Sequence, residues 1–190
     1  MNHPSTTVLA AEEPARFSVE EFMAMAPVLG NIPGKIELVD GVIVRMSPAN
    51  YPHFHYERQL FLKLHAIFGE GIDGFIVGQE LTVRLGEATV RDPDIAIFRD
   101  PGMIDFIVDR DVLLLTAEVS DSSLREDLGP KKRSYATALV PEYWVVDIKG
   151  QRVHRFTGPA DGNYASEELI PFGAPLAVPG TDQAITIDPA

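Results

Sequence analysis

Leu113-Leu114-Leu115-Thr116-Ala117-Glu118-Val119-Ser120 is the stretch on which the fold turns. Its start, from Val112 to Leu115, is apolar without alternation, the pattern of a central strand covered on both faces. The same run nevertheless carries a carboxylate, Glu118. A second run, Arg91-Asp92-Pro93-Asp94-Ile95-Ala96-Ile97-Phe98, puts Asp94 at one end of another apolar strand. Burying an unpaired carboxylate is costly, so such groups coordinate a metal, pair with a cation or sit at a catalytic mouth. Residues two apart on a strand share a face, which groups Asp92 with Asp94 and Glu118 with Ser120. The plainer alternative is that Asp94 caps a turn and Glu118 pairs with a basic residue.

Working outward, Phe75–Val77, Leu81–Leu85 and Asp94–Phe98 read as strands of one sheet. Upstream, Asp40-Gly41 between Ile36–Val39 and Val42–Met46 is a hairpin signal, because both central residues of the tight turn take positive φ. Ser18 with Glu21 forms a capping box for a helix ending near Pro27. Pro52 opens a longer helix to about Phe68, whose buried stripe is Leu60, Phe61, Leu64, Ile67 and Phe68, with His53 and Glu57 on the same face nearer its N-terminus. A further helix is expected from Pro130 to Leu139, with Asp127 capping just ahead of it. Tyr143–Asp147 and Arg152–Phe156 make a second hairpin, and edge strands follow near Glu168–Ile170 and Ala184–Ile187. Residues 1–16 lack periodicity and read as a flexible tail. The whole is one α/β domain over residues 17–190: a mixed central sheet flanked by helices, with an N-terminal β-hairpin.

The 190 residues suit one core of that kind. There is no cysteine, which excludes disulfides, thiolate zinc sites and a cysteine nucleophile. No apolar stretch approaches the ~20 residues of a membrane span, and no basic-then-apolar leader opens the chain, so no membrane partner and a cytoplasmic location are expected. The net charge of -12 argues against tight, constitutive DNA binding, since phosphate contacts dominate such affinity.

Chemistry gathers around the two carboxylates. Oxygen donors of this kind suit Mg²⁺ or Mn²⁺, held by one or two carboxylates with water and substrate phosphate. Lys131, Lys132 and Arg133 would occupy a first helical turn, where the macrodipole disfavours cations unless an anion compensates. Tyr135 lies four residues beyond Lys131, on its face, and can orient the lysine. His53 suits acid/base work or phosphate contact. Glu80, just before Leu81–Leu85, is a further candidate ligand.

In order and spacing, these residues resemble the Uma-two family of restriction endonucleases, within the PD-(D/E)xK nuclease group. The matching features are Ile36-Glu37-Leu38-Val39-Asp40-Gly41, Met46-Ser47-Pro48 followed by His53, Pro93-Asp94, Glu118-Val119-Ser120, and Asp127 with Lys131 and Tyr135. Val140-Pro141-Glu142-Tyr143-Trp144-Val145-Val146-Asp147 completes a pattern covering about residues 17 to 156. The resemblance implies a restriction-endonuclease-like core that hydrolyses DNA phosphodiester bonds. Asp94, Glu118 and the Val119 carbonyl would hold Mg²⁺, with Lys131 and His53 catalytic. Glu37, Glu80, Asp127 and Tyr135 would stand behind them. The group's usual lysine lies two residues after the strand glutamate, where this chain has Ser120, and Lys131 is the implied substitute. A non-catalytic nucleic-acid-binding or regulatory protein on a degenerate nuclease fold is the alternative. A homodimer is left open, although no heptad or apolar patch in the sequence argues for one.

Overall fold

The computed structural model describes residues 14–32, 34–46, 48–69, 71–102 and 107–190. Of the expected tail, residues 1–13 lie outside the described residues, while Arg16 donates to the Asp40 carbonyl and Phe17 N–H to that of Gly41. The chain opens with α1 (Val19–Ala24), where Ser18 and Glu21 form the expected reciprocal cap, and a short α2 (Ala26–Leu29). The hairpin β1 (Ile36–Val39) and β2 (Val42–Arg45) turns at Asp40 and Gly41, with φ of 49° and 80°. α3 (Tyr51–Phe68) is capped by the Asn50 side chain and buries Tyr56, Glu57, Leu60, Leu64 and Phe68.

Six strands follow, β3 (Phe75–Gln79), β4 (Val83–Arg84), β5 (Val90–Arg91), β6 (Ile95–Arg99), β7 (Val108–Asp109) and β8 (Leu113–Ser120), and then, after a helical segment, β9 (Glu142–Asp147). That segment comprises α4 (Leu124–Glu126), a π turn (Asp127–Lys131) and α5 (Lys132–Thr137). β10 (Arg152–Ala160), β11 (Asn163–Pro171), β12 (Leu176–Ala177) and β13 (Ala184–Ile185) complete the chain. The main sheet has the order β11-β10-β9-β8-β6-β3, and β8 and β9 are its parallel pair. β11 is the edge strand expected near Glu168–Ile170, whereas Ala184–Ile185 pairs only with β12.

Two expectations are corrected. The strand expected at Leu81–Leu85 is only Val83–Arg84, and it belongs to a second sheet, β2-β1-β5-β4-β7. Glu80 takes φ 48°, which turns the chain out of β3's plane before β4 begins. The helix expected from Pro130 begins instead at Leu124. Pro130 lies inside it and has no N–H for the carbonyl four residues back, so the helix widens locally into the π turn. Lys131 therefore does not sit at the start of the helical segment, and Asp127 does not cap its N-terminus.

Apolar side chains pack on both faces of the main sheet. Leu115, Ala117 and Val119 of β8 face α3 with Ile95, Ile97 and Trp144. The other face gathers Ala96, Phe98, Tyr135, Tyr143, Val145 and Phe156 beneath α5. Strand alternation sends Thr116, Glu118 and Ser120 to this second face. A smaller cluster of Val19, Phe22, Leu38 and Val90 packs α1 on the second sheet.

Candidate metal centre

The β6–β8 register brings the two carboxylates together. Ile95 pairs with Ala117 and Ala96 with Thr116, so Asp94, just before Ile95, and Glu118, just after Ala117, stand at the same end of the strand pair. Both line one cleft of about 410 Å³, together with Lys35, His53, Glu80 and Lys131.

Asp94 is 5% exposed. Lys35 Nζ lies 2.9 Å from its Oδ1, and Oδ2 meets His53 Nε2 at 3.0 Å and the Val119 N–H at 2.8 Å. Burial alone would raise the pKa of this carboxyl. The hydrogen bond from His53 and the charge of Lys35 outweigh burial and hold Asp94 well below the usual carboxylate range. In return, and against their own burial, Asp94 raises both Lys35 and His53. His53 reaches it from the first turn of α3, where its N–H is bound by the Asn50 side chain at 3.0 Å.

Glu118 is held on both oxygens. Lys131 Nζ lies 2.7 Å from Oε2, and the Tyr135 hydroxyl donates to Oε1 at 2.8 Å. Burial pushes its carboxyl up to about 8; Lys131 opposes this, while Asp94, Asp127 and Glu37 reinforce it. Lys131 remains cationic because carboxylates surround it despite its burial. Ser120, at the strand position expected of a lysine, donates to Asp127 Oδ2, and so does Ser123, at 2.6 Å. The other oxygen of Asp127 lies 3.6 Å from Lys131 Nζ. The serine thus contacts the carboxylate beside the lysine on the π turn.

Other candidates lie further out. Glu80 reaches Lys35 at 3.5 Å with its side chain 62% exposed. Glu37 is fully buried beside Arg91, 2.7 Å away, and also accepts the Asp92 N–H at 3.1 Å. It does not line the cleft. Glu57 accepts from Gln79 and is pushed up by burial, and burial pushes Asp92 up to about 6. Sequence reasoning missed Lys35 and Arg91. Both pair with carboxylates more than fifty residues away, at separations of 59 and 54, and no local periodicity marks such a partner.

No three His, Asp or Glu groups gather at metal-ligand spacing among the described residues. The donors at the site are carboxylate oxygens, the type with which Mg²⁺ is commonly held beside water and substrate oxygens.

The family model described as "Putative restriction endonuclease" matches residues 19–189. No curated protein matches the sequence. Among solved structures, the fold is similar to that of a protein described as a putative nuclease belonging to DUF820, from Anabaena variabilis. The two share 16% identity with a TM-score of 0.69, over 90% of this chain and 95% of that one. That likeness confirms the mixed α/β architecture. The family match spans nearly all of the described chain, and the protein belongs to the Uma2 family.

Proposed function

We propose that this protein is a Mg²⁺-dependent endonuclease that hydrolyses DNA phosphodiester bonds. The observation that carries this reading is the convergence of Asp94, Glu118, Lys131 and His53 on one cleft. Asp94 and Glu118 would hold the cation, with the Val119 carbonyl as a third donor, and Mn²⁺ would substitute for Mg²⁺. A bound cation at such a site polarises a phosphate oxygen and acidifies a coordinated water.

The chain's own groups supply the rest. Lys131 would turn its ammonium from Glu118 toward the phosphate and offset the charge that develops there. Lys35 provides a second cation, paired with Asp94. Water would lose one proton to solvent as it adds to phosphorus in line with O3′, and the P–O3′ bond would break. His53, whose protonated form Asp94 favours, would pass its proton to the departing oxygen. Tyr135 keeps Glu118 oriented through its hydroxyl.

A non-catalytic DNA-binding protein is the second reading. It is favoured by the lysine partner that each carboxylate already has and by serine at position 120. Nicking of supercoiled plasmid in Mg²⁺ or Mn²⁺ separates the two. The endonuclease nicks as parent and fails as Asp94→Ala or Glu118→Ala. An intact plasmid with the parent, despite measurable DNA binding, would favour the second reading.

A further inference from the structure

α3 exposes a face that the core does not explain. Tyr51 is 77% exposed, Phe54 54% and Leu62 46%, and Arg58 and His65 are also exposed. Steps of three and four residues put all five on one side of the helix. The strip runs about 21 Å from Tyr51 to His65. The Tyr51 and Phe54 rings lie 6.4 Å apart, tilted by 42°. They directly follow Asn50 and His53, which line the cleft, so the strip begins at its rim.

Charge is segregated in the same way. In a chain of net charge -12, the only acid of α3 is Glu57, which is buried. The helix carries Arg58, Lys63 and three histidines. Lys63 is held by Asp188 at 2.6 Å, whereas Arg58 makes no ion pair among the described residues. The face therefore offers two aromatic rings with the Arg58 cation four residues beyond Phe54, and no exposed acid from α3 itself. That combination suits a nucleic-acid strand with unstacked bases, whose π faces stack on aromatic rings while a cation meets the backbone. A paired duplex hides its base faces and is held mainly by phosphate contacts, which this acidic chain is poorly equipped to make.

Building on the endonuclease reading, we propose that the substrate enters as unpaired DNA, with bases stacking on Tyr51 and Phe54 and Arg58 meeting the backbone next to the cleft. The probe is a short fluorescein-labelled oligothymidine, compared by anisotropy with a labelled hairpin duplex, in Ca²⁺ instead of Mg²⁺ to limit cutting. The parent binds the single strand more tightly. Tyr51→Ala with Phe54→Ala weakens single-strand binding by about tenfold to a hundredfold and leaves hairpin binding unchanged. Tyr51→Phe with Phe54→Tyr keeps both rings and retains the affinity. Equal parent affinity for the two probes would overturn the proposal, as would full affinity in the alanine pair. So would a parent dimer, seen by light scattering, that the alanine pair turns into a monomer with unchanged DNA binding; the face would then join two copies. Plasmid nicking reads the underlying activity separately. A parent that nicks plasmid without single-strand preference keeps the endonuclease and loses the stacking face. Loss of oligothymidine binding in the alanine pair, with no cleavage of any DNA by the parent, does the reverse.

Discussion

Lys131 Nζ lies 2.7 Å from Glu118 Oε2, an ion pair between a π turn and the central strand. Lysine and glutamate are 6% and 2% exposed, so each is the other's main compensation for leaving water. Removing the cation alone leaves a buried carboxylate. Above about pH 8, where Glu118 is ionised, Lys131→Ala should lower unfolding stability by about 3–5 kcal/mol in urea titrations. It should slow plasmid nicking by about 10²–10³-fold with Mn²⁺ binding retained. A destabilised variant that nicks at the parent rate would give Lys131 a purely structural role.

Glu118 sets the expected response to pH. Its carboxyl is raised from 4.5 to about 8, so the metal-free folded state keeps a proton that the unfolded chain releases between those values. Its contribution to stability therefore falls as pH rises through that window. Metal affinity moves the opposite way and rises toward pH 8, because the ligand must lose its proton. Urea midpoints in EDTA and Mn²⁺ titrations at several pH values should show both slopes, and Glu118→Gln should flatten both. A parent without either slope would place the ionised form in the resting protein.

Glu37 and Arg91 provide the contrast, as a buried pair that does not line the cleft. Arg91→Met should destabilise the protein by about 3–5 kcal/mol, by leaving Glu37 without its cation. Mn²⁺ affinity of the folded variant should remain at the parent value. A large loss of affinity would mean that this pair shapes the site directly.

Much of this arrangement was legible in the sequence, for identifiable reasons. Asp40-Gly41 announced its turn because few residue pairs tolerate two positive φ values. Asp94 and Glu118 stood out because carboxylates are rare in apolar strands. What stayed hidden was non-local or short. The strands at residues 83–84, 90–91 and 108–109 have two residues each, too few to show a period. The helix start at Leu124 carries no side-chain cap, and Pro130 reads as a first helical position rather than as part of a π turn. Glu37 read as a cleft residue because nothing near it in sequence betrays Arg91.

His53 should titrate above its ordinary value of 6.5, because the Asp94 hydrogen bond and charge outweigh the effect of its burial. Glu57 also faces it from one turn along α3, 3.6 Å away, and Lys35 opposes the shift. The stabilisation from this pair is full below the unfolded pKa and is lost as pH rises through the raised folded one. NMR titration of the imidazole should show the upward shift, and Asp94→Asn should reverse it. An unchanged titration in that variant would remove Asp94 as the cause.

Calorimetric titration with Mn²⁺ of the parent, Asp94→Ala and Glu118→Ala bears most directly on whether the two carboxylates form a metal centre. The expected result is binding to the parent, weakened at least about tenfold by either substitution. Unchanged affinity in both folded variants would contradict it and leave the two groups as structural partners of their lysines.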